Sequence, residues 1–206
     1  SGNATQAQFT FTGAGRLNIG GSFGSGGTLT GNAGTINFNG GVAQTIGTYT
    51  TYNNVEINNT SGGVTLLGTT TFGGTLNITT GTFTVGFTLT VSGATTVDGT
   101  LTISSTSGTK TFTGDVTISS GGILNFTAGE PVAFGSNLVI SDGTITGTTT
   151  GTINVAGNLT VPSGTTATIG RSTITVTGNT TVGGTLTYST STSGTKTFVG
   201  LVTIAS

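Results

Sequence analysis

Apolar residues return along this chain about every 21 positions, in three separate series. One series runs Leu17, Ile36, Val55, Leu76, Val97, Val116, Leu138, Leu159, Val182, Val202. A second runs Ile46, Leu66, Val85, Ile103, Phe126, Ile145, Ile169, Tyr188, and a third Phe72, Val91, Phe112, Phe134, Val155, Val176, Phe198. Each apolar residue lies in a short stretch that alternates with Thr, Ser or Asn, as in Leu76-Asn77-Ile78 or Val116-Thr117-Ile118, which is the pattern of a half-buried strand. Glycines punctuate the stretches and supply corners that other residues resist. Three apolar columns on a common period describe a coil with three sides, each contributing one strand that pairs in parallel with the strand one coil away. The expected fold is all-β, a three-sided parallel β-solenoid of about ten coils, with the right-handed winding that parallel crossovers favour. An antiparallel sandwich also has short strands and frequent turns, but does not require equivalent columns at a fixed spacing. Residues 1–206 read as one continuous solenoid, with no linker between parts.

A longer repeat is superposed on the coil. The stretch GFTLTVSGATTVDGTLTI at 86–103 matches RSTITVTGNTTVGGTLTY at 171–188, and SGTKTF at 107–112 recurs at 193–198. Neither end of the sequence carries a capping helix pattern, although solenoid ends normally need a polar cap. Written in tandem, the last residues run into the first as TIASSGNATQAQFTFTG, which is similar to the internal TISSGGILNFTAGEPVAFG at 117–135. The expectation is head-to-tail continuation, by a peptide bond or by a non-covalent stack of copies. Leu201, Val202 and Ile204 of one unit would then meet Phe9, Phe11 and Leu17 of the next.

Composition narrows the function. Only 4% of residues are charged and the net charge is -1, against about 25% charged in an ordinary globular domain. A third of the chain is hydrophobic (32%), too much for a disordered polar segment. There is no basic stripe to hold nucleic acid, and no apolar run of the roughly 18 residues that a membrane-spanning helix needs. The sequence opens without a charged segment followed by an apolar one, so any export signal would lie outside it. The absence of cysteine and histidine removes the usual nitrogen and sulfur metal ligands and the Ser–His and Cys–His pairs of nucleophilic catalysis. Gly13-Ala14-Gly15 starts like a dinucleotide-binding turn, but Asn18 stands where the third glycine belongs and no helix pattern follows. Glu56, Asp98, Asp115, Glu130 and Asp142 are spread over different coils and apart from Arg16, Lys110, Arg171 and Lys196. The sequence therefore gives no reason to expect an enzyme, a cofactor or a metal.

Two polar patterns could serve as binding surfaces. Asn18, Asn37, Glu56, Asn77 and Asp98 each follow a residue of the first apolar series, so they are expected to line up outward on one face. Such a strip could meet cations or glycan hydroxyls, or its amides could simply bond to one another between coils. Thr-x-Thr triplets such as Thr88-Leu89-Thr90, Thr144-Ile145-Thr146 and Thr173-Ile174-Thr175 point two threonines outward. Flat arrays of that kind suit an ice-binding face, but these fall on several faces, and Thr is also a favourable strand former for an uncharged surface.

The segments YNNVEINNTSGGVTLLGTTTFGGTLNI (52–78), GGVAQTIGTYTTYNN (40–54) and GTKTFTGDVTISSGGILNF (108–126) resemble the β-strand-repeat arrays of very large bacterial secreted surface proteins. The resemblance extends over essentially the whole chain and rests on low-complexity motifs. It implies an extracellular protein of the cell surface or matrix, adhesin-like or filamentous, with no catalytic residues to carry over. The functional expectation is a structural fibre, stalk or matrix filament; the alternative is an adhesin-like or ice-binding module using one Thr/Asn-rich face, with surface glycans as possible partners.

Overall fold

The computed structural model describes residues 7–24, 26–49, 52–188 and 194–205. Among these residues every regular element is a strand and every pairing is parallel. The chain is a parallel β-solenoid. Its longest sheet has ten strands, from Arg16–Ile19 to Val202–Ile204, separated by nine coil steps. A second sheet of eight strands runs from Gln44–Ile46 to Thr185–Tyr188, and a third of seven from Thr70–Phe72 to Lys196–Phe198. Gln8–Thr10 and Thr28–Thr30 form a separate pair at the N-terminal end.

The third column lies as the sequence places it: Phe72, Val91, Phe112, Phe134, Val155, Val176 and Phe198 are register partners in turn. Phe112 and Phe134 are buried, their ring centroids 5.6 Å apart and tilted by 60°, within the range aromatic pairs prefer. Phe198 holds the equivalent place four coils on, partly buried.

The other two columns need correction. On the first face the partners of Leu76, Val116 and Leu138 run through Thr95, whereas Val97 pairs with Ile78 and Ile118. Likewise Thr180 stands beside Leu159 and Val202, and Val182 pairs with Val161 and Ile204. Each strand turns two residues inward, at positions two apart, so where one of them is Thr, counting apolar residues slips the register by two. Thr95 and Thr180 are buried at core positions, and neither hydroxyl has a hydrogen-bond partner. In the second column Ile145 is opposite Leu124, not Phe126; the partner of Phe126 is Gly147. Glycine stands at that core position because the chain packs closely on Phe126. A Cβ at Gly151 would fall 2.4 Å from its ring, and one at Gly147 would fall 2.2 Å from its carbonyl oxygen.

The N-terminal coils are filled differently. Phe11 lies against Gly34, where a Cβ would meet its ring at 2.2 Å. Phe23, Tyr49, Tyr52, Phe72 and Phe83 form a chain of ring contacts with successive centroids 5.4, 5.9, 5.6 and 6.3 Å apart. Beside them a buried amide network joins three coils. Gln44 Nε2 donates to the carbonyls of Ile19 (2.7 Å) and Gly21 (2.5 Å), and its Oε1 accepts from Gly40 N and from Asn59 Nδ2. Asn59 Oδ1 in turn accepts from the backbone of Ser61 and Gly63, shaping that corner.

Candidate functional site

The outward strip is real over four coils and then ends. Asn18, Asn37, Glu56 and Asn77 are register partners on the first sheet. The residue opposite Asn77 is Thr96; Asp98 lies two positions further on, because Val97 belongs to the neighbouring column, and it accepts a 2.6 Å hydrogen bond from Ser119 Oγ. Within the strip Arg16 forms a bidentate pair with Glu56, at 2.6 and 2.8 Å, reaching across the coil between them. Arg16 Nε also donates to Asn18 Oδ1, which accepts from Asn37 Nδ2 at 2.8 Å. Asn37 is thereby buried. Arg16, Asn18, Asn37 and Glu56 thus bond to one another around one ion pair, although Asn37 Oδ1 stays buried without a partner.

The remaining carboxylates are also spoken for one at a time. Asp115 Oδ1 accepts from Ser136 Oγ (2.6 Å), Asn137 N and Asn137 Nδ2, and Ser136 above all holds this carboxyl below the usual aspartate range. Asp142 accepts from the backbone of Thr166. Glu130 lies buried with its Oε2 3.7 Å from the ammonium of buried Lys110. Among the described residues no three acidic side chains gather in a way that could hold a metal ion.

The sequence reading missed a second ladder, at the corner that leads into the first sheet. Asp115 accepts from the backbone of Asn137, Asn137 from Asn158, Asn158 from Asn179, and Asn179 from Leu201, at 3.1, 3.0, 2.8 and 3.0 Å. An Asn or Asp placed directly before a column residue, mostly after a glycine, is the signal: Gly114-Asp115-Val116, Gly157-Asn158-Leu159, Gly178-Asn179-Thr180. The glycine is needed because the corners nest closely; a Cβ at Gly178 would lie 2.5 Å from Gly157 O and 2.7 Å from Asn158 Oδ1. The ladder stops at Leu201, whose side chain cannot accept.

Outward threonines form ranks on each face, and each rank is interrupted. The first sheet carries Thr96, Thr117, Val139, Thr160 and Thr181, and the third carries Thr90, Thr111, Ala133, Asn154 and Thr175.

The two ends differ. Val199, Leu201, Val202 and Ile204 are exposed at 65, 68, 49 and 83%, on the open side of the last coil. At the other end Phe9 is exposed, Leu17 is partly buried, and Phe11 is buried against Gly34 and Phe9. Of the residues expected to meet at a junction, the C-terminal three therefore offer bare apolar surface and Phe11 does not.

Compared with protein-family models, with curated proteins and with solved structures, the chain has no match.

Proposed function

We propose that this chain is a length of structural shaft, part of an extracellular fibre, stalk or matrix filament in which β-solenoid coils continue beyond Leu201–Ile204. The observation that carries the reading is one parallel register kept from Arg16–Ile19 to Val202–Ile204, each coil pairing with the next. Strands Thr185–Tyr188, Lys196–Phe198 and Val202–Ile204 each end their sheet, leaving one row of backbone N–H and C=O groups unpaired beside exposed apolar side chains. Such an edge recruits another strand, and a head-to-tail contact that does not close into a ring builds a filament. The next coil can belong to the same chain or to a second copy. The scattering of the carboxylates, each with its own structural partner, supports a passive shaft over a catalytic one. The interrupted threonine ranks and the self-bonded cluster of Arg16, Asn18, Asn37 and Glu56 support it over a module that binds ice or glycans through one uniform face. The similarity in sequence pattern to bacterial surface arrays favours an extracellular setting.

Electron microscopy of the native material, with sedimentation of the isolated chain, tests this. Rods of constant width, lengthening end to end, are expected. Discrete particles of about 43 Å, nine steps at the spacing of paired strands, in both preparations would sink the reading.

A further inference from the structure

Two lysines occupy equivalent places four coils apart, and only one of them is finished. The sequence GTKTF occurs at 108–112 and again at 194–198. Lys110 points into the core, its ammonium donating to the carbonyls of Ser107 (2.8 Å), Gly108 (3.1 Å) and Ser105 (3.4 Å). The overlying coil buries it: Lys110 is the register partner of Val132, and Glu130, two residues before Val132, brings its carboxylate to 3.7 Å. Lys196 has the same beginnings. Its ammonium donates to Gly194 O (2.8 Å) and Gly170 O (3.0 Å) and lies 5.8 Å from the centre of the Tyr188 ring. Among the described residues no carboxylate faces it, and its strand is the last of the third sheet. Burial pushes both ammonium groups down, and only for Lys110 does a carboxylate, Glu130, work against that.

Resting on the reading of a continued shaft, we infer that the coil covering the C-terminal end carries an acidic side chain in register with Lys196, as Glu130 is with Lys110. A coil laid over Lys196 takes a charged amine out of water, and a buried charge without a counter-charge is strongly unfavourable. The partner is thus an acidic β-coil and not any apolar strand. The first 55 residues of this chain contain no Asp or Glu, so of the two continuations proposed above a stacked second copy fails this requirement and a longer chain can meet it. The natural neighbour is a coil like 121–142, which carries Glu130.

Extending the 206-residue chain tests this directly. Residues 203–206 read TIAS where 117–120 read TISS, so the sequence of 121–142 appended after Ser206 sets its Glu as far from Lys196 as Glu130 is from Lys110. Three extensions are compared: that coil, the same coil with its Glu replaced by Gln, and the chain's own first 22 residues. The readout is the rate at which an amine-acylating reagent modifies Lys196, followed by peptide mass spectrometry, with buried Lys110 as the protected reference. The Glu coil is expected to shield Lys196 about tenfold better than the Gln coil, the ratio given by ~1.4 kcal/mol, and better than the chain's own first coil. Equal shielding by all three overturns the acidic requirement and leaves the continued shaft standing. Shielding by none shows that the end takes no coil, and both readings fall.

Discussion

The coils around Gln44 and Asn59 and those between Asp115 and Leu201 solve one problem in two ways. Each must lock a coil to its neighbours beyond what strand pairing supplies. In the N-terminal coils the lock is inside: Gln44 occupies a core position in line with Val64 and Phe83, and its amide meets Asn59 and three backbone partners across three coils. In the later coils the lock is at an exposed corner, one Oδ1 per rung from Asp115 to Asn179. The difference teaches that location, not bond count, sets the cost of failure. A rung lost at a corner is replaced by water, whereas a buried amide lost from the interior orphans groups that water cannot reach.

That comparison can be broken by substitution. Asn59→Ala removes the buried donor to Gln44 Oε1 and the donor to Val42 O, together with the acceptor of Gly63 N and of the more exposed Ser61 N. At about 1–3 kcal/mol for each orphaned group, a loss of roughly 3 kcal/mol is expected. Urea denaturation should register it, with hydrogen exchange accelerated in residues 40–66 and little changed beyond Val116. A loss below that of a corner substitution would refute the distinction.

The opposite sign is expected at Thr95. Its buried hydroxyl has no partner while its neighbours in the column are Leu76 and Val116. Thr95→Val keeps the shape and removes the orphan, so stability should rise by about 1–2 kcal/mol; a fall would mean that the hydroxyl is satisfied after all.

Asn158→Ala deletes one rung, the acceptor of Asn179 N, at an exposed site. About 0.5–1.5 kcal/mol is the expected cost, readable as a small shift of the denaturation midpoint and faster exchange at the Asn179 amide alone.

The smallest effect is electrostatic. Because Ser136 and then Asn137 hold the Asp115 carboxyl below its ordinary value, its contribution is full above the usual aspartate range and fades as pH falls through the lowered value. Asp115→Asn should flatten that acid limb of the stability curve. An unchanged limb would show that the rung is indifferent to charge.

Much of this is legible in the sequence. Period, parallel pairing and the whole third column follow from Phe and Val recurring at one inward position. The slips at Thr95, Thr180 and Gly147 have one cause: a strand with two inward positions needs only one of them apolar, and pattern counting follows whichever is apolar. Asp98 was misplaced by the same slip. The amide lock could not be read, since Gln44 and Asn59 are fifteen positions apart and look like surface residues until the coil closes over them. The corner ladder could have been read, from Asn or Asp recurring just before the column.

That corner ladder has a direction. In every rung the acceptor belongs to the earlier residue and the donor to the later one, from Asp115 through Asn137, Asn158 and Asn179 to Leu201. Each coil thus presents an accepting side chain to the backbone that follows it and a donating N–H to the coil before. The corner is thus polar along the axis: a stretch of coils turned end for end would bring acceptor against acceptor there, so the ladder admits one orientation only.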